Sequence, residues 1–276
     1  ERILATINDF AFSIIAYGFW FLSVFSVIGI VLGSVRLFFI GVLALLQKAY
    51  SSWLEKKLTH LKSPFLPMVS VVIPAFNEER VVVKTVQSIL ASGYPSFDVI
   101  IVDDGSSDGT SHVLEAAFHE NERVRLFRTE YEGKAAALNF GIGQTSADIV
   151  VTLDADTIFA PDTISELVLR FRDRRVGAVS GNVKVGNRKN ILTKWQALEY
   201  ITSQNLDRRA FELLNAITVV PGAVGAWRRD ALIRAGGFSS DTLAEDADLT
   251  FRIIRGGWNV AYQDRALAYT EAPETI

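Results

Sequence analysis

Ile149-Val150-Val151-Thr152-Leu153-Asp154-Ala155-Asp156 joins a run of apolar and β-branched residues to two carboxylates separated by one alanine. The run predicts a strand that is buried on both faces of an α/β sheet. Two acids at the end of such a strand are costly to desolvate unless a cation or hydrogen bonds neutralise them. Mg²⁺ prefers one or two carboxylates together with substrate phosphates. Taken alone, Asp154-Ala155-Asp156 therefore indicates, with equal weight, a metal–diphosphate site or a solvated turn whose aspartates cap the next helix.

The cysteine content, net charge and length of the chain exclude some classes of protein. The 276 residues include no cysteine and carry a formal charge of −3. The lack of cysteine excludes disulfides and thiolate chemistry, which fits a domain that faces a reducing cytosol. The net negative charge argues against a nucleic-acid partner, because nucleic-acid binders need a basic footprint. The length allows one soluble domain of about 200 residues and a further segment.

The N-terminal region predicts a membrane anchor. No charged residue lies between Phe10 and Val35, and about 20 apolar residues suffice to span a bilayer. Apolar character resumes after Arg36, so this region is either one tilted span that continues as an interfacial helix, or two short spans that turn at Arg36. Basic residues follow at Lys48, Lys56, Lys57 and Lys62, which predicts that the C-terminal side is cytoplasmic.

These patterns divide the chain into segments. We expect an N-terminal flank at residues 1–9, one or two transmembrane segments at 10–47, a basic juxtamembrane linker at 48–67 and a soluble domain at 68–276. The protein would lie in the inner or plasma membrane, in contact with membrane lipids, with its soluble domain in the cytoplasm. The chain begins at Glu1 and stops at Ile276 in mid-pattern, so we expect a fragment at both ends.

Strand and helix patterns alternate along the soluble domain. Apolar or β-branched runs predict strands at 69–74, 98–102, 124–127, 149–153, 176–185, 217–227 and 258–262. Apolar residues at helical spacing predict helices at 80–90, 108–119, 134–142, 164–171, from 191 onward and at 245–255. This order predicts a Rossmann-like, mostly parallel sheet with helices on both faces.

Three polar clusters follow predicted strands directly: Asn77-Glu78, Asp103-Asp104 and Asp154-Ala155-Asp156. Ligands of such sheets bind outside the carboxyl ends of the strands, so all three clusters can line one crevice. Their convergence favours a metal–nucleotide site over simple helix capping. The first strand is not followed by G-x-G-x-x-G, which disfavours a dinucleotide fold, and Arg128 replaces the first glycine of a Walker-type loop ending at Gly133-Lys134.

The ordered motifs resemble those of a known family. They are Val72-Ile73-Pro74-Ala75-Phe76-Asn77-Glu78-Glu79, Val102-Asp103-Asp104-Gly105-Ser106, Gly133-Lys134-Ala135, Asp154-Ala155-Asp156 and Ala244-Glu245-Asp246. Over about residues 68–276 the chain resembles family 2 glycosyltransferases with the GT-A fold. It looks most like the membrane-embedded processive branch of poly-N-acetylglucosamine, chitin, hyaluronan and cellulose synthases. The segment 181–188 resembles the poly-N-acetylglucosamine and chitin-like synthases most closely.

The resemblance implies roles for particular residues. Those expected to hold the nucleotide are Pro74, Phe76, Asn77, Glu78, Asp104, Lys134 and Asp154. Asp154 and Asp156 would hold Mg²⁺ or Mn²⁺ beside the diphosphate. Asp246 would be the catalytic base, with Glu245 as its neighbour.

The positions of Asp246, Gly222 and Ala223 in the sequence bear on the roles expected of them. Asp246 begins a predicted helix whose buried face carries Leu249 and Ile253, so a fixed element would aim its carboxylate. The partial positive charge of a helix start should lower its pKa and keep it ionised. Acids in a first helical turn are common for that reason alone, but the other motifs favour the base. The small residues Gly222 and Ala223 indicate either close approach of an acceptor sugar or tight strand–helix packing, with equal weight.

The resemblance implies an inverting, metal-dependent enzyme. It would transfer a sugar, first among candidates N-acetylglucosamine, from a UDP-sugar to a growing β-linked polysaccharide at the cytoplasmic membrane face, with an accessory membrane subunit as a further candidate partner. A non-processive enzyme acting on a lipid-linked or glycan acceptor is one alternative, and a catalytically silent nucleotide-sugar-binding protein is another. The branch also carries Gln-x-x-Arg-Trp, but none of the five tryptophans here follows an arginine. At this motif the sequence departs from the pattern of the processive branch.

Overall fold

The chain begins with one long helix, α1 (Arg2–Thr59). The computed structural model describes residues 2–59, 65–187, 190–242 and 244–270. α1 continues through Arg36 without a turn, so of the two alternatives for this region the structure has one continuous helix rather than two short spans that turn at Arg36. Its segment Phe12–Leu54 is long and apolar enough to cross a membrane. Residues 271–276, after which the resemblance places the Gln-x-x-Arg-Trp motif, lie outside the described residues.

Strands and helices alternate in the rest of the described chain. The strands are β1 (Val69–Ala75), β2 (Phe97–Asp104), β3 (Val124–Thr129), β4 (Ile149–Thr152), β5 (Ile158–Phe159), β6 (Val176–Val185), β7 (Gly225–Arg228) and β8 (Asn259–Thr270). The helices are α2 (Val82–Leu90), α3 (Thr110–Phe118), α4 (Lys134–Gly143), α5 (Thr163–Arg170), α6 (Ile191–Ile201), α7 (Arg208–Glu212), α8 (Arg229–Arg234) and α9 (Glu245–Arg255). A π-helical segment, Thr202–Asp207, joins α6 to α7, and a 3₁₀ turn, Gly222–Val224, precedes β7.

The strands form one eight-stranded sheet in the order β3-β2-β1-β4-β7-β6-β8-β5. β1 pairs in parallel with β2 and β4, β2 with β3, and β6 with β8. β7 runs antiparallel to β4 and β6, and β5 runs antiparallel to β8. The predicted α/β class is confirmed, with two reversed strands in a mostly parallel sheet. The carboxyl ends of β1, β2, β4 and β6 therefore meet at the same edge.

The two faces of the sheet are buried under different helices. Along β1, Val69, Val71 and Ile73 pack against α2, α3 and α5 on one face. Val72, on the opposite face, packs against α4, α8 and α9. A strand covered on both faces needs apolar residues at every position, which explains why the central strands read as continuous apolar runs.

The strand predicted at 217–227 is shorter in the structure. Pro221 lacks an amide to donate to a ladder, and the chain turns through Gly222–Val224 before β7 starts at Gly225. β7 then inserts between β4 and β6, where the Trp227 indole donates a hydrogen bond to Thr152 Oγ1 at 3.0 Å. β5 and α8 were not expected, and β8 continues eight residues beyond the predicted strand end at 262, to Thr270.

One side of α1 docks on the soluble domain. Its buried residues are Ile40, Ala44, Gln47 and Ser51. Gln47 hydrogen-bonds to Glu212, at the end of α7, and accepts a hydrogen bond from Arg209. Nearer its carboxyl end, Tyr50 and Leu54 lie beside the first residues of β6 and β8. The exposed apolar part of α1 that precedes Ile40 therefore extends towards the sheet edge that holds the strands' carboxyl ends.

Candidate active site

A cleft of about 460 Å³ opens at the carboxyl ends of β1, β2 and β4. It is lined by Pro74, Ala75, Phe76, Glu78, Asp104, Tyr131, Lys134, Asp154, Ala155 and Asp156. The polar residues that follow the three strands meet there because parallel strands end at a common edge. Every residue predicted to bind nucleotide or metal lines this cleft except Asn77.

Asn77 connects the loops that follow β1 and β2 by hydrogen bonds beside the cleft. Its φ of 58° is in the left-handed region, which asparagine adopts more readily than most residues. Its Oδ1 accepts hydrogen bonds from the amides of Ser107 at 2.9 Å and Asp108 at 3.3 Å, and its own amide donates to Ser106 Oγ at 2.9 Å. Asn77 thus ties the loop after β1 to the loop after β2 and supports the cleft wall.

Asp104 anchors the loop that leads into α4. Its two carboxylate oxygens accept hydrogen bonds from the amides of Glu132 at 3.0 Å and Gly133 at 2.8 Å. Gly133 has φ +94°, a conformation that disfavours any side chain. The glycine turn starts α4 at Lys134, so Asp104 and Gly133 together aim the lysine into the cleft.

Two aromatic rings flank the same end of the cleft. The rings of Phe76 and Tyr131 lie 4.6 Å apart between centroids, tilted by 41°, and both side chains are exposed. Sequence reasoning missed Tyr131, although an aromatic residue just before Gly133-Lys134 was a usable signal. An exposed aromatic pair beside a buried carboxylate can hold a planar polar ring by stacking and hydrogen bonding.

Lys134 joins the cleft to the predicted catalytic acids. Its Nζ lies 2.7 Å from Asp154 Oδ1 and 3.4 Å from Glu245 Oε1. Burial alone would lower the pKa of Lys134, but the charge and hydrogen bond of Asp154, with the charges of Asp246 and Glu245, raise it above its ordinary value. Lys134 is therefore cationic and holds three acids from two distant parts of the chain close to one another.

Asp246 lies at the start of α9 and is held from one side only. Its Oδ2 accepts a hydrogen bond from the Gly222 amide at 2.7 Å. Its Oδ1 is buried and has no hydrogen-bond partner among the described residues. A buried carboxylate oxygen without a hydrogen bond is costly in free energy. This atom can therefore accept a hydrogen bond from a ligand that carries a donor, such as a hydroxyl group.

The expected lowering of the Asp246 pKa is wrong. Burial raises the pKa of Asp246 to about 6, with a smaller contribution from Glu245, although Lys134 and the Gly222 amide act in the opposite direction. The favourable interaction with a helix start is worth less than about 1 kcal/mol at most sites, whereas desolvation of a buried acid shifts its pKa by several units at the extreme. At neutral pH the carboxylate is still mostly ionised.

Gly222 lies close to the side chains of Lys134, Asp246 and Asp154. A Cβ at this position would lie 2.8 Å from Lys134 Nζ, 2.9 Å from Asp246 Oδ2 and 3.3 Å from Asp154 Oδ1. The neighbouring Ala223 is partly buried against the core formed with α2, α3 and α5. The small residues let the turn before β7 approach the charged cluster closely.

Replacing Gly222 by alanine should lower activity without unfolding the domain. The added methyl group would displace Lys134 and Asp246, and small misplacements of reacting groups cost up to about 100-fold in rate. Gly143→Ala is the matched control, because nothing lies within 4 Å of a Cβ at Gly143. Initial rates and thermal midpoints of both variants would be measured; equal rates for the two would contradict the assigned contact.

The cleft is rich in carboxylates. Burial raises the pKa of Glu78, and the charges of Asp156, Asp108 and Asp154 raise it further. No cluster of three or more His, Cys, Asp or Glu side chains suited to a metal ion occurs within the described ranges. The protein thus offers an electronegative cleft with two carboxylates, Asp154 and Asp156, at the end of β4.

A mixed sheet of this order, with an acidic cleft at its carboxyl edge, agrees with the GT-A fold that the resemblance implies. The family described as glycosyltransferase-like family 2 matches residues 67–276, and the chain belongs to that family. The family predicted from the sequence motifs is therefore confirmed.

Two curated relatives are poly-beta-1,6-N-acetyl-D-glucosamine synthases. The protein of Staphylococcus aureus (strain COL) is 31% identical over 209 residues, which are 75% of this chain and 51% of the relative. The protein of Staphylococcus epidermidis is 31% identical over 258 residues, 93% of this chain and 60% of the relative. This chain thus spans only about half of the length of the S. aureus relative.

Solved structures share the fold. The mannosyltransferase PcManGT from Pyrobaculum calidifontis, in complex with GDP-Man and Mn²⁺, superposes with a TM-score of 0.66 at 26% identity over 85% of this chain and 69% of that one. S. aureus TarS 1-349 in complex with UDP-GlcNAc superposes with a TM-score of 0.59 at 17% identity over 76% and 60% of the two chains.

Proposed function

We propose that this protein transfers N-acetylglucosamine from UDP-N-acetylglucosamine to a β-linked polysaccharide with inversion at the anomeric carbon. The observation that carries the proposal is the Asp246 carboxylate, whose Oδ1 is buried without a partner beside the Lys134–Asp154 ion pair. The relatives that synthesise poly-N-acetylglucosamine support the choice of sugar.

The nucleotide would bind at the aromatic end of the cleft. Phe76 and Tyr131 flank space for the base, with Asp104 beneath them and Pro74 in the wall. Lys134 lies between this end and Asp246, where its positive charge would stabilise the departing diphosphate. The binding end and the reacting end of the cleft are thus linked by one cation.

The acidic cleft suits a hard divalent cation. Asp154 and Asp156 would hold Mg²⁺ or Mn²⁺, and their mutual repulsion with Glu78 supports a cation there. A hard cation accepts one or two carboxylates when phosphate oxygens complete its shell, so Asp154 and Asp156 suffice as its ligands from the protein. When bound, such an ion neutralises charge that develops on the leaving UDP.

Asp246 would act as the general base. The acceptor hydroxyl gives its proton to Oδ1 as its oxygen bonds to the anomeric carbon, and the bond from that carbon to the UDP oxygen breaks with its electron pair going to UDP. The new bond forms on the face opposite the leaving group, so an α-linked donor gives a β-linked product. The Gly222 amide and α9 hold the base in position from the other side.

Transfer would take place at the membrane surface. The exposed apolar part of α1 extends towards the edge that holds the cleft, and Lys48, Lys56 and Lys57 follow on the domain side. Positive residues favour the cytoplasmic side. This arrangement supports a cytoplasmic active site that faces the bilayer.

The rate should depend on the ionisation of Asp246. A base must be ionised to accept a proton, so kcat/KM should be constant well above the pKa of about 6 for Asp246 and fall about tenfold per pH unit well below it. The profile would be measured from pH 5 to 9 with saturating metal. A flat profile down to pH 5 would contradict this assignment.

Donor choice is tested by incorporation of labelled sugar into polymer by the full-length protein in membranes. UDP-N-acetylglucosamine should be incorporated, and unlabelled UDP-glucose, UDP-glucuronic acid and GDP-mannose should compete weakly. Preferential use of GDP-mannose would overturn the proposed donor. Transfer of single sugars without polymer would support the non-processive alternative, and nucleotide binding without turnover would support a silent binding protein.

A further inference from the structure

A second pocket, of about 310 Å³, lies at the carboxyl end of β6. It is lined by Asn182, Lys184 and Val185 of β6, by Ala197 and Tyr200 of α6 and by Asn205 of the π-helical segment. None of these residues lines the nucleotide cleft. The lining combines one aromatic ring, two amides and one amine, a combination that suits an uncharged ligand rich in hydroxyl groups.

The pocket opens at the same edge of the sheet as the cleft. β6 runs in the same direction as β4, and only β7 lies between them. The register aligns Thr152 of β4 with Gly225 of β7, and Gly225 with Ser180 of β6. Asn182 and the β6 residues after it therefore lie beyond the level of the end of β4, at a lateral offset of two strand spacings, about 10 Å. A single extended ligand is therefore long enough to reach from the cleft into the pocket.

Tyr200 is the aromatic residue of the pocket and is partly buried. It packs against the same core cluster as Ala223, the residue after Gly222. Burial raises the pKa of Tyr200, and Glu199, Asp154 and Asp156 add to the rise while Arg208 opposes it. The carboxylates at the end of β4 therefore act electrostatically on the phenol.

A buried cation, Arg208, lies beside the residues of β6 that precede the pocket. Arg208 of α7 is 7% exposed and makes no ion pair with a carboxylate in the described part of the chain. It donates hydrogen bonds to Ser180 Oγ at 2.9 Å and to the Gly181 carbonyl at 3.4 Å, which fixes the helices to β6. Burial lowers the pKa of Arg208 to about 10, partly offset by Tyr262, Tyr200 and Asp246, so its charge acts on both Tyr200 and the proposed base.

The segment that carries Asn205 departs from α-helical geometry. Thr202–Asp207 is π-helical, a rare geometry that occurs frequently at functional sites. Asn205 Oδ1 is held by Arg209 Nε at 2.7 Å, which fixes the amide beside the pocket.

We propose that this pocket holds the acceptor saccharide, with the ring of Tyr200 against the face of a sugar unit behind the reacting hydroxyl. The inference rests on the proposed function and extends it by assigning the acceptor to residues distinct from those of the donor. A saccharide bound there leads its terminal hydroxyl past the Gly222–Val224 turn to Asp246, while the donor occupies the cleft. Tyr200 is a specificity-determining residue, and Asn182, Lys184 and Asn205 supply hydrogen bonds.

The test separates donor from acceptor kinetics in the full-length protein in membranes. UDP release would be measured against the concentration of a soluble β-linked N-acetylglucosamine oligosaccharide, and separately against the donor. Tyr200→Ala should raise the acceptor KM at least tenfold and leave the donor KM unchanged, whereas Tyr200→Phe, which keeps the ring, should stay within about twofold of the wild type. Trp195→Ala is the control, because Trp195 is an exposed aromatic residue on the same helix outside the pocket.

Results that overturn the acceptor pocket differ from results that refute the proposed function. An unchanged acceptor KM in Tyr200→Ala, or a change in the donor KM instead, would overturn the acceptor pocket. Lys184→Ala provides a second variant if Tyr200→Ala does not fold, with an expected rise of about threefold in the acceptor KM; no rise would overturn the assignment too. Wild-type protein that releases no UDP from any donor would instead refute the proposed function.

Discussion

Asp246→Asn should abolish sugar transfer while leaving nucleotide binding nearly intact. Asparagine keeps the size of the side chain and can still accept the hydrogen bond from the Gly222 amide, but it cannot take a proton from an acceptor hydroxyl. Loss of a general base costs about 10²–10⁴-fold in rate, and we expect a fall of about 10³-fold in kcat. Initial rates of transfer and calorimetric titration with UDP would measure the two effects separately.

Asp248→Asn is the control for this prediction. Asp248 is in the same first turn of α9, but it forms a partly exposed ion pair with Arg252 at 2.7 Å. Such pairs contribute at most about 1 kcal/mol to stability, so this variant should keep near wild-type activity. Transfer by Asp246→Asn within tenfold of the wild type, or an equal loss in Asp248→Asn, would remove Asp246 from the role of base.

Asp156→Ala should weaken UDP binding only when a divalent cation is present. If Asp156 holds the ion beside the diphosphate, its loss should raise the Kd for UDP with Mn²⁺ by about 100-fold, equivalent to about 2.7 kcal/mol. Without metal, the wild type and the variant should bind UDP equally weakly. Titrations of both proteins with and without chelator would measure the four affinities.

Asp162→Ala controls for the loss of an acid near β4. Asp162 is exposed, lies just after β5 and makes no side-chain capping hydrogen bond to α5. Its replacement should leave UDP affinity unchanged under both conditions. Equal UDP affinity of Asp156→Ala and wild type, with and without metal, would refute the metal assignment.

The central half of the fold follows directly from the sequence. β1, β2 and β4 are buried on both faces, so their apolar runs are continuous and their boundaries are readable. The polar residues after each strand converge because parallel strands share an edge. The cleft residues Glu78, Asp104 and Asp154 could therefore be predicted together from strand ends alone.

Other parts depend on contacts that periodicity does not encode. β7 has only four residues, and its reversed insertion between β4 and β6 is decided by tertiary packing of Trp227. β5 has two residues and exists only because β8 extends far enough to pair with it. Short strands carry too little pattern to be recognised, so β5 was missed, and neither the length nor the reversed direction of β7 was predicted.

The electrostatics of the site could not be read from the sequence either. The position of Asp246 at a helix start predicted a lowered pKa, but its burial, set by the turn at Gly222, decides the direction. The ion pair between Lys134 and Asp154 joins α4 to the end of β4. Such contacts arise from the assembled sheet and have no local signature.

UDP release by the full-length protein in membranes, supplied with Mn²⁺ and UDP-N-acetylglucosamine, tests whether this cleft is a metal-dependent sugar-transfer site that uses Asp246. Wild type, wild type with chelator and Asp246→Asn would be assayed side by side, with UDP-glucose and UDP-glucuronic acid as alternative donors. We expect release by the wild type with UDP-N-acetylglucosamine and its loss in both other samples. Release that persists in Asp246→Asn and in chelator, or no release from any donor despite measurable UDP binding, would contradict the proposed mechanism.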